Sequence, residues 1–235
     1  MVLQPPPWYN LSMNFLASVG IAILATLILA FLQLKTGVFA MLYHFARGKK
    51  GKRYADALTF YYVVGIIGIT APLSTAFLSI PNTELFKTIM SGICFALAFL
   101  VLVFYYRYKK GSQLYLSRKT VEILNAGARR AHASDAFMLG VASGLIEFVF
   151  TIPLYMIVCV EMASLDRIDL LVVAITMEVA AGVLPVFLYH AFFWRGLNLA
   201  DIGRIREKNK NFYRYLMFVC YVLIGFALIN FGGLI

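Results

Sequence analysis

Residues 141–155 read VASGLIEFVFTIPLY: one carboxylate, Glu147, in an otherwise apolar run, with Pro153 six residues on. The rest of the chain says what surrounds that carboxylate. Of 235 residues, 62% are hydrophobic and only 14% are charged, and the mean hydropathy is +0.82. A soluble globule carries about a quarter of its residues as charges. Several apolar blocks exceed the 18 or so residues that mark a membrane-span candidate. The sequence therefore predicts an all-α integral membrane protein, with the lipid bilayer as its first partner.

Six transmembrane helices are expected, at roughly residues 14–46, 57–79, 86–106, 136–160, 170–194 and 215–235. The first block is too long for an upright helix, since about 20 residues cross the hydrocarbon. It must tilt, bend or leave the core near Lys35-Thr36-Gly37. Basic residues fall in clusters between the blocks: 47–53, 107–130 and 195–214 hold eighteen of the 21 lysines and arginines. The opposite side has Lys87 and Arg167, and Lys35 lies within the first block. An excess of lysine and arginine marks the cytoplasmic face, so both termini are expected outside, with the plasma membrane as the expected location. The net charge of +10 would suit a nucleic-acid binder, but its division among apolar blocks argues for no nucleic-acid partner.

The basic loop 107–135 separates a first three-span half, 1–106, from a second, 136–235. An odd number of spans per half makes the halves cross in opposite senses, so the topology permits a 3+3 inverted repeat, an architecture that places substrates at the repeat interface. Within the loop, KTVEILNAGARRAHASD can form a short interfacial helix and a turn, or lie as a basic segment against anionic headgroups. The start, MVLQPPPWYNLSMNF, lacks a basic leader and a small-residue cleavage site, so it does not read as a removable signal peptide. Its Asn10-Leu11-Ser12 sequon lies close to the first span.

Glu147 falls near the middle of the fourth span. A carboxylate there loses several kcal/mol of hydration unless it is paired, protonated or facing water. Ser143, Thr151 and Tyr155 stand at four-residue steps from it, giving that helix one polar face. Gly140 and Gly144 form a GxxxG that permits close helix approach, and Pro153 frees a backbone carbonyl one turn back. Glu178 lies roughly 13 Å inside the fifth span, near Thr176 and Gly182 and before Pro185. Lys35, with Gln33 and Thr36 beside it, is either the counterion of Glu147 or a long stem reaching headgroups. Gly37, Gly144, Pro153 and Pro185 are the hinge candidates. The string LYH occurs at 42–44 and at 188–190, ahead of basic residues, so His44 and His190 could meet as a proton-sensitive gate or simply flank their spans. Glu161, Asp166 and Asp169 form an acidic outer rim. Cys94, Cys159 and Cys220 are isolated; with no CxxC and no clustered histidines, neither a dithiol nor a metal site is expected.

The passage LKTGVFAMLYHFARGKKGKRYADALTFYYVVG resembles the start of the LysE-type exporter superfamily, whose wider group includes DsbD/CcdA-type thiol-electron carriers. The resemblance implies a broken first helix with a glycine-containing motif, a glycine and basic loop, and a glycine-bearing second helix. Gly37, Gly48, Gly65, Lys49 and Lys50 carry it, and Gly144, Pro153 and Tyr155 would occupy the comparable break in the second half. Thr36 stands where many exporters have proline, and the paired membrane cysteines of the thiol carriers are absent.

These residues point to a small secondary transporter or exporter of a small solute or cation. Glu147 would be central to ion coupling or substrate contact, with Glu178 and Lys35 as neighbours. No P-loop is evident, so transport would run on an ion gradient or downhill. The alternatives are an integral-membrane enzyme and a noncatalytic scaffold. The sequence names no cofactor, coupling ion or cargo, and leaves homo-oligomerisation open.

Overall fold

The computed structural model describes residues 18–28, 34–77, 79–104, 118–146, 148–163 and 168–232. The described residues are helical apart from short connections, with no strand among them. In chain order the helices are α1 (Ser18–Ile28), α2 (Leu34–Lys50), α3 (Lys52–Phe77), α4 (Glu84–Phe104), α5 (Arg118–Arg130), α6 (Ala133–Ile146), α7 (Phe148–Ala163), α8 (Ile168–Trp194) and α9 (Leu199–Gly232). Three of them are long and apolar enough to cross a membrane: α3, the Glu84–Val103 part of α4, and the Asn211–Asn230 part of α9. Shorter apolar helices, Ser18–Ile28, Ala133–Leu145 and Gly182–Trp194, overlap the other three expected blocks.

The buried side chains form two cores. One joins α1, α4, α7 and the second half of α9, through Ile21, Ala25, Cys94, Leu97, Leu154, Ile157, Tyr221 and Ile224. The other joins α2, α3, α5, α6 and the end of α8, through Phe39, Tyr43, Leu58, Tyr62, Leu124, Leu139, Val186 and Phe193. Each core takes helices from both sides of the 107–135 loop.

Glycine fixes the closest crossing, between α3 and α6. A Cβ on Gly65 would collide with the Phe137 carbonyl oxygen, and one on Gly140 with the Tyr62 carbonyl oxygen. Neither carbonyl can move without shifting its helix, so both positions require the absence of a side chain. Gly144 continues the contact, its Cβ position lying 2.8 Å from Ile69 Cγ2. The approach expected of the GxxxG at 140–144 is thus made against α3.

The basic end is held by short, well-capped connections. Gly51, at φ +85°, ends α2 and leads directly into α3. Gly196, at φ +88°, ends α8, and the Leu197 amide donates back to the Phe192 carbonyl. Asn198 then caps α9: its Oδ1 accepts from the Asp201 amide, and Asp201 Oδ2 accepts from the Asn198 amide. The basic run Arg204 to Arg214 is helical and continuous with the last apolar stretch. Of the two readings of the 107–135 loop, the helix is the one present, as α5. It buries Leu124 and Ala128 in the second core.

Candidate functional site

Where α2 ends, α3 begins and α8 ends, Asp56 gathers three donors onto one oxygen. Tyr43 Oη donates to Oδ1 at 2.9 Å, His190 Nε2 lies at 2.8 Å, and Trp194 Nε1 at 3.3 Å. Asp56 sits in the first turns of α3; His190 and Trp194 are one turn apart on α8, so their rings reach the same carboxylate. An ionised carboxylate only accepts. The 2.8 Å contact therefore puts a proton on His190 Nε2, and the Trp194 N–H, 3.1 Å from that nitrogen, is left to the carboxylate.

Aromatic packing holds this cluster. Tyr43 stacks on Phe193 with centroids 4.7 Å apart and meets the His190 ring edge-on at 5.4 Å. Lys52 Nζ lies over the Trp194 ring, 3.2 Å from its centroid. Beside it opens a cleft of about 420 Å³, with His44, Arg47 and Asn198 facing Phe193 and Leu197. Further ties gather the basic ends of the helices: Tyr54 Oη donates to the Ala131 carbonyl at 2.7 Å, and Arg129 lies over the Phe45 ring.

A second polar cluster lies deeper, between α2, α3 and α6. Tyr62, fully buried, has its hydroxyl 2.6 Å from the Lys35 carbonyl oxygen and 2.9 Å from Ser143 Oγ, which is in turn 2.9 Å from the Gly140 carbonyl. Two hydroxyl protons thus serve three close contacts, and they can be arranged in either direction along the row. Lys35 and Thr36 are buried at 3% and 2% exposure. Phe39 stands between the clusters, its ring 5.8 Å from Tyr43 and 5.7 Å from Tyr62.

Of the residues singled out from the sequence, Ser143 is brought to this deep cluster by its side chain and Lys35 by its backbone carbonyl. Tyr155 is buried in the other core. The two described ends of the expected polar stripe therefore serve different cores. Glu147 lies outside the described residues, as do the side chains of Thr151 in α7 and Glu178 in α8. Gly37 is buried within an uninterrupted α2, and Pro153 and Pro185 lie inside α7 and α8, which continue past them. His44 is exposed and packs on Phe45; His190 bonds Asp56 instead of meeting His44.

Asp56, Tyr43, Tyr62 and Trp194 were not apparent as site residues in the sequence. The signal for Asp56 was local: a single acid just after Lys52 and Arg53, at the start of an apolar helix. The two LYH strings do converge, but out of register. The first supplies its tyrosine and the second its histidine.

No cluster of three or more potential metal ligands occurs among the described residues. Comparison of the chain with family models, curated proteins and solved structures finds no match.

Proposed function

We propose that this chain is a membrane-embedded secondary transporter or exporter of a small solute or ion. The observation that carries the proposal is the deep cluster: Tyr62 and Ser143 bond to one another and to the Lys35 carbonyl between apolar helices, and Lys35 and Thr36 are buried beside them. Polar and ionisable groups inside membrane helices are costly, and where present they commonly line substrate or ion pathways. The Gly65–Gly140 crossing supports the same reading, because it brings α6, the helix that precedes Glu147, against α3 at the level of Tyr62 and Ser143. In this proposal six segments cross the plasma membrane with the basic ends cytoplasmic, the halves form an inverted repeat as in LysE-type exporters, and Glu147 couples the ion or contacts the cargo.

The test is proton or cation flux in proteoliposomes, comparing the native chain with Glu147→Gln at equal reconstituted amount, with basic amino acids and small cations as trial cargo. Flux that is lost in the folded variant places the acid on the path. Equal flux assigns Glu147 to packing. Absence of flux from both, with every cargo, favours a scaffold, and turnover of the surrounding lipid favours an enzyme.

A further inference from the structure

Three independent helices meet on one oxygen of Asp56, and one of the three donors can change charge. His190 is reachable from water, with its side chain 22% exposed. Its Nε2–H faces Asp56, so an incoming proton would bind at Nδ1. The product is an imidazolium whose Nε2–H still donates to the same carboxylate, so that a hydrogen bond to an anion becomes an ion pair with both partners charged. Histidine changes charge between about pH 5 and 8.

The groups facing the pair act in both directions. Asp56, from α3, favours the imidazolium. Lys52, also on α3 and over the Trp194 ring, and Arg47, on α2 in the adjoining cleft, oppose it. Tyr43 on α2 and Trp194 on α8 donate to Asp56 and remain uncharged. His44 lines the cleft from α2, and Asp201 caps α9 beyond Asn198.

What the pair closes is set by packing. Directly beneath it Tyr43, Phe193 and Phe39 form a continuous aromatic block, with Phe39 and Phe193 at 6.4 Å and Phe39 against Tyr62. This block runs from the Asp56 cluster to Tyr62, through Tyr43 at one end and Phe39 at the other. Its members come from α2 and α8, the helices that Asp56 ties together.

We propose that Asp56 and His190 form a proton-binding site at the basic end of the bundle, and that proton binding there latches α8 to α2 and α3 and so holds the Phe39–Tyr43–Phe193 block closed over the deep polar cluster. The proposal deepens the transport reading and rests on it for the meaning of closure, while the proton site itself can be measured without any cargo. Protonation tightens the latch by adding the attraction of opposite charges; deprotonation leaves only the imidazole N–H bond to the carboxylate and favours opening toward the basic side.

Trp194 is a built-in reporter. Its ring centroid is 6.0 Å from that of His190, and the chain has two tryptophans, so Trp8→Phe leaves Trp194 alone. Imidazolium quenches a neighbouring indole more strongly than imidazole does. Emission of the full-length Trp8→Phe protein should therefore rise as pH increases between about 5 and 8, and the rise should vanish with His190→Gln, which keeps a donor toward Asp56 but cannot titrate. A flat profile in the parent, or one that survives His190→Gln, overturns the proton site.

The latch is read separately, by labelling Ser143→Cys from the basic side with a membrane-impermeant maleimide, after replacing Cys94, Cys159 and Cys220 by alanine. The ratio of its labelling rate to that of the same cysteine in a His190→Gln background cancels the pH dependence of the thiol itself. That ratio should rise several-fold as protons leave the site, and Asp56→Asn should abolish the rise. A ratio independent of pH overturns the latch. A pH-dependent ratio with no flux of any cargo leaves the latch standing and removes the transporter; flux with a constant ratio does the reverse.

Discussion

Between α4 and α9 the second half of the chain returns to the first through side chains that need little from one another beyond contact. Cys94, Leu97, Tyr221, Ile224 and Leu228 interlock there, Phe95 and Phe226 meet edge-on at 5.2 Å, and Ser91 Oγ donates to the Gly225 carbonyl at 2.9 Å. Between α2, α3, α6 and α8 the same kind of apolar helices enclose hydroxyls, a carboxylate, an imidazole and a buried lysine. The first core can be varied by any side chain of similar volume. The second depends on particular atoms: one oxygen of Asp56, one hydroxyl of Tyr62 and two missing Cβ atoms at Gly65 and Gly140. Stability is therefore expected to reside in both cores and function in one.

The largest expected effect tests the first core. Leu154→Ala removes a fully buried side chain and should destabilise the folded protein by about 2–5 kcal/mol, as cavities do, while flux per folded molecule stays unchanged. Thermal unfolding in detergent beside proteoliposome flux measures both. Loss of specific flux in that variant would end the division of labour between the cores.

Gly140→Ala comes next. Its Cβ meets the Tyr62 backbone, so α3 and α6 must part at a cost of about 1–3 kcal/mol, and flux should fall with stability because Tyr62 and Ser143 are drawn apart. Gly68, on α3 with nothing within 4 Å of its Cβ position, is the control. There alanine should be neutral or stabilise the helix by up to about 1 kcal/mol.

Tyr62→Phe keeps the ring and removes the hydroxyl that reaches Lys35 and Ser143. It should cost about 1–2 kcal/mol yet affect flux more than Leu154→Ala does. A variant that is less stable but fully active would make the deep cluster a structural bond.

The smallest effect concerns the basic end. Arg130 Nε and Nη2 hold Asp135 at 3.0 and 2.6 Å, and that hydrogen bonding, opposed by partial burial and helped by His132, keeps the Asp135 carboxyl below the usual carboxylate range. A carboxyl lowered on folding contributes stability that is present above its unfolded pKa of about 3.9. The contribution is lost as pH falls through the lower folded value. Asp135→Asn should lower stability slightly at neutral pH, where the contribution is present, and leave the most acid end unchanged, so that a small part of the acid limb flattens; the effect is small because Arg130 is exposed. Unfolding midpoints between about pH 2 and 7 measure it.

How far these features could be read in the chain follows from the range of each signal. Gly140 and Gly144 were legible because a spacing of four on a helix places both on one face, whatever lies opposite. A helix within 107–135 could be read from its own residues only as one of two alternatives, and its burial on α2 could not be read at all. Tyr43, Asp56 and His190 were not legible as a unit: they are 13 and 134 positions apart, and a span-flanking tyrosine, acid or histidine looks alike whether it faces lipid headgroups or a neighbour. Ser143 and Tyr155 show the converse. Their four-residue steps suggested one continuous polar face, whereas the described ends lie in different cores.

The sequence alone determined the helical class, the apolar character of the long segments and the gathering of basic residues into three clusters, because each of these depends on composition and local period. Tertiary structure alone decided which helices share a core, that α3 and α6 cross at backbone contact, and that Asp56 collects donors from α2 and α8. Those outcomes depend on distances between helices far apart in the chain, and burial gives neighbouring apolar faces little to distinguish one partner from another until shape, glycine and hydrogen bonds choose.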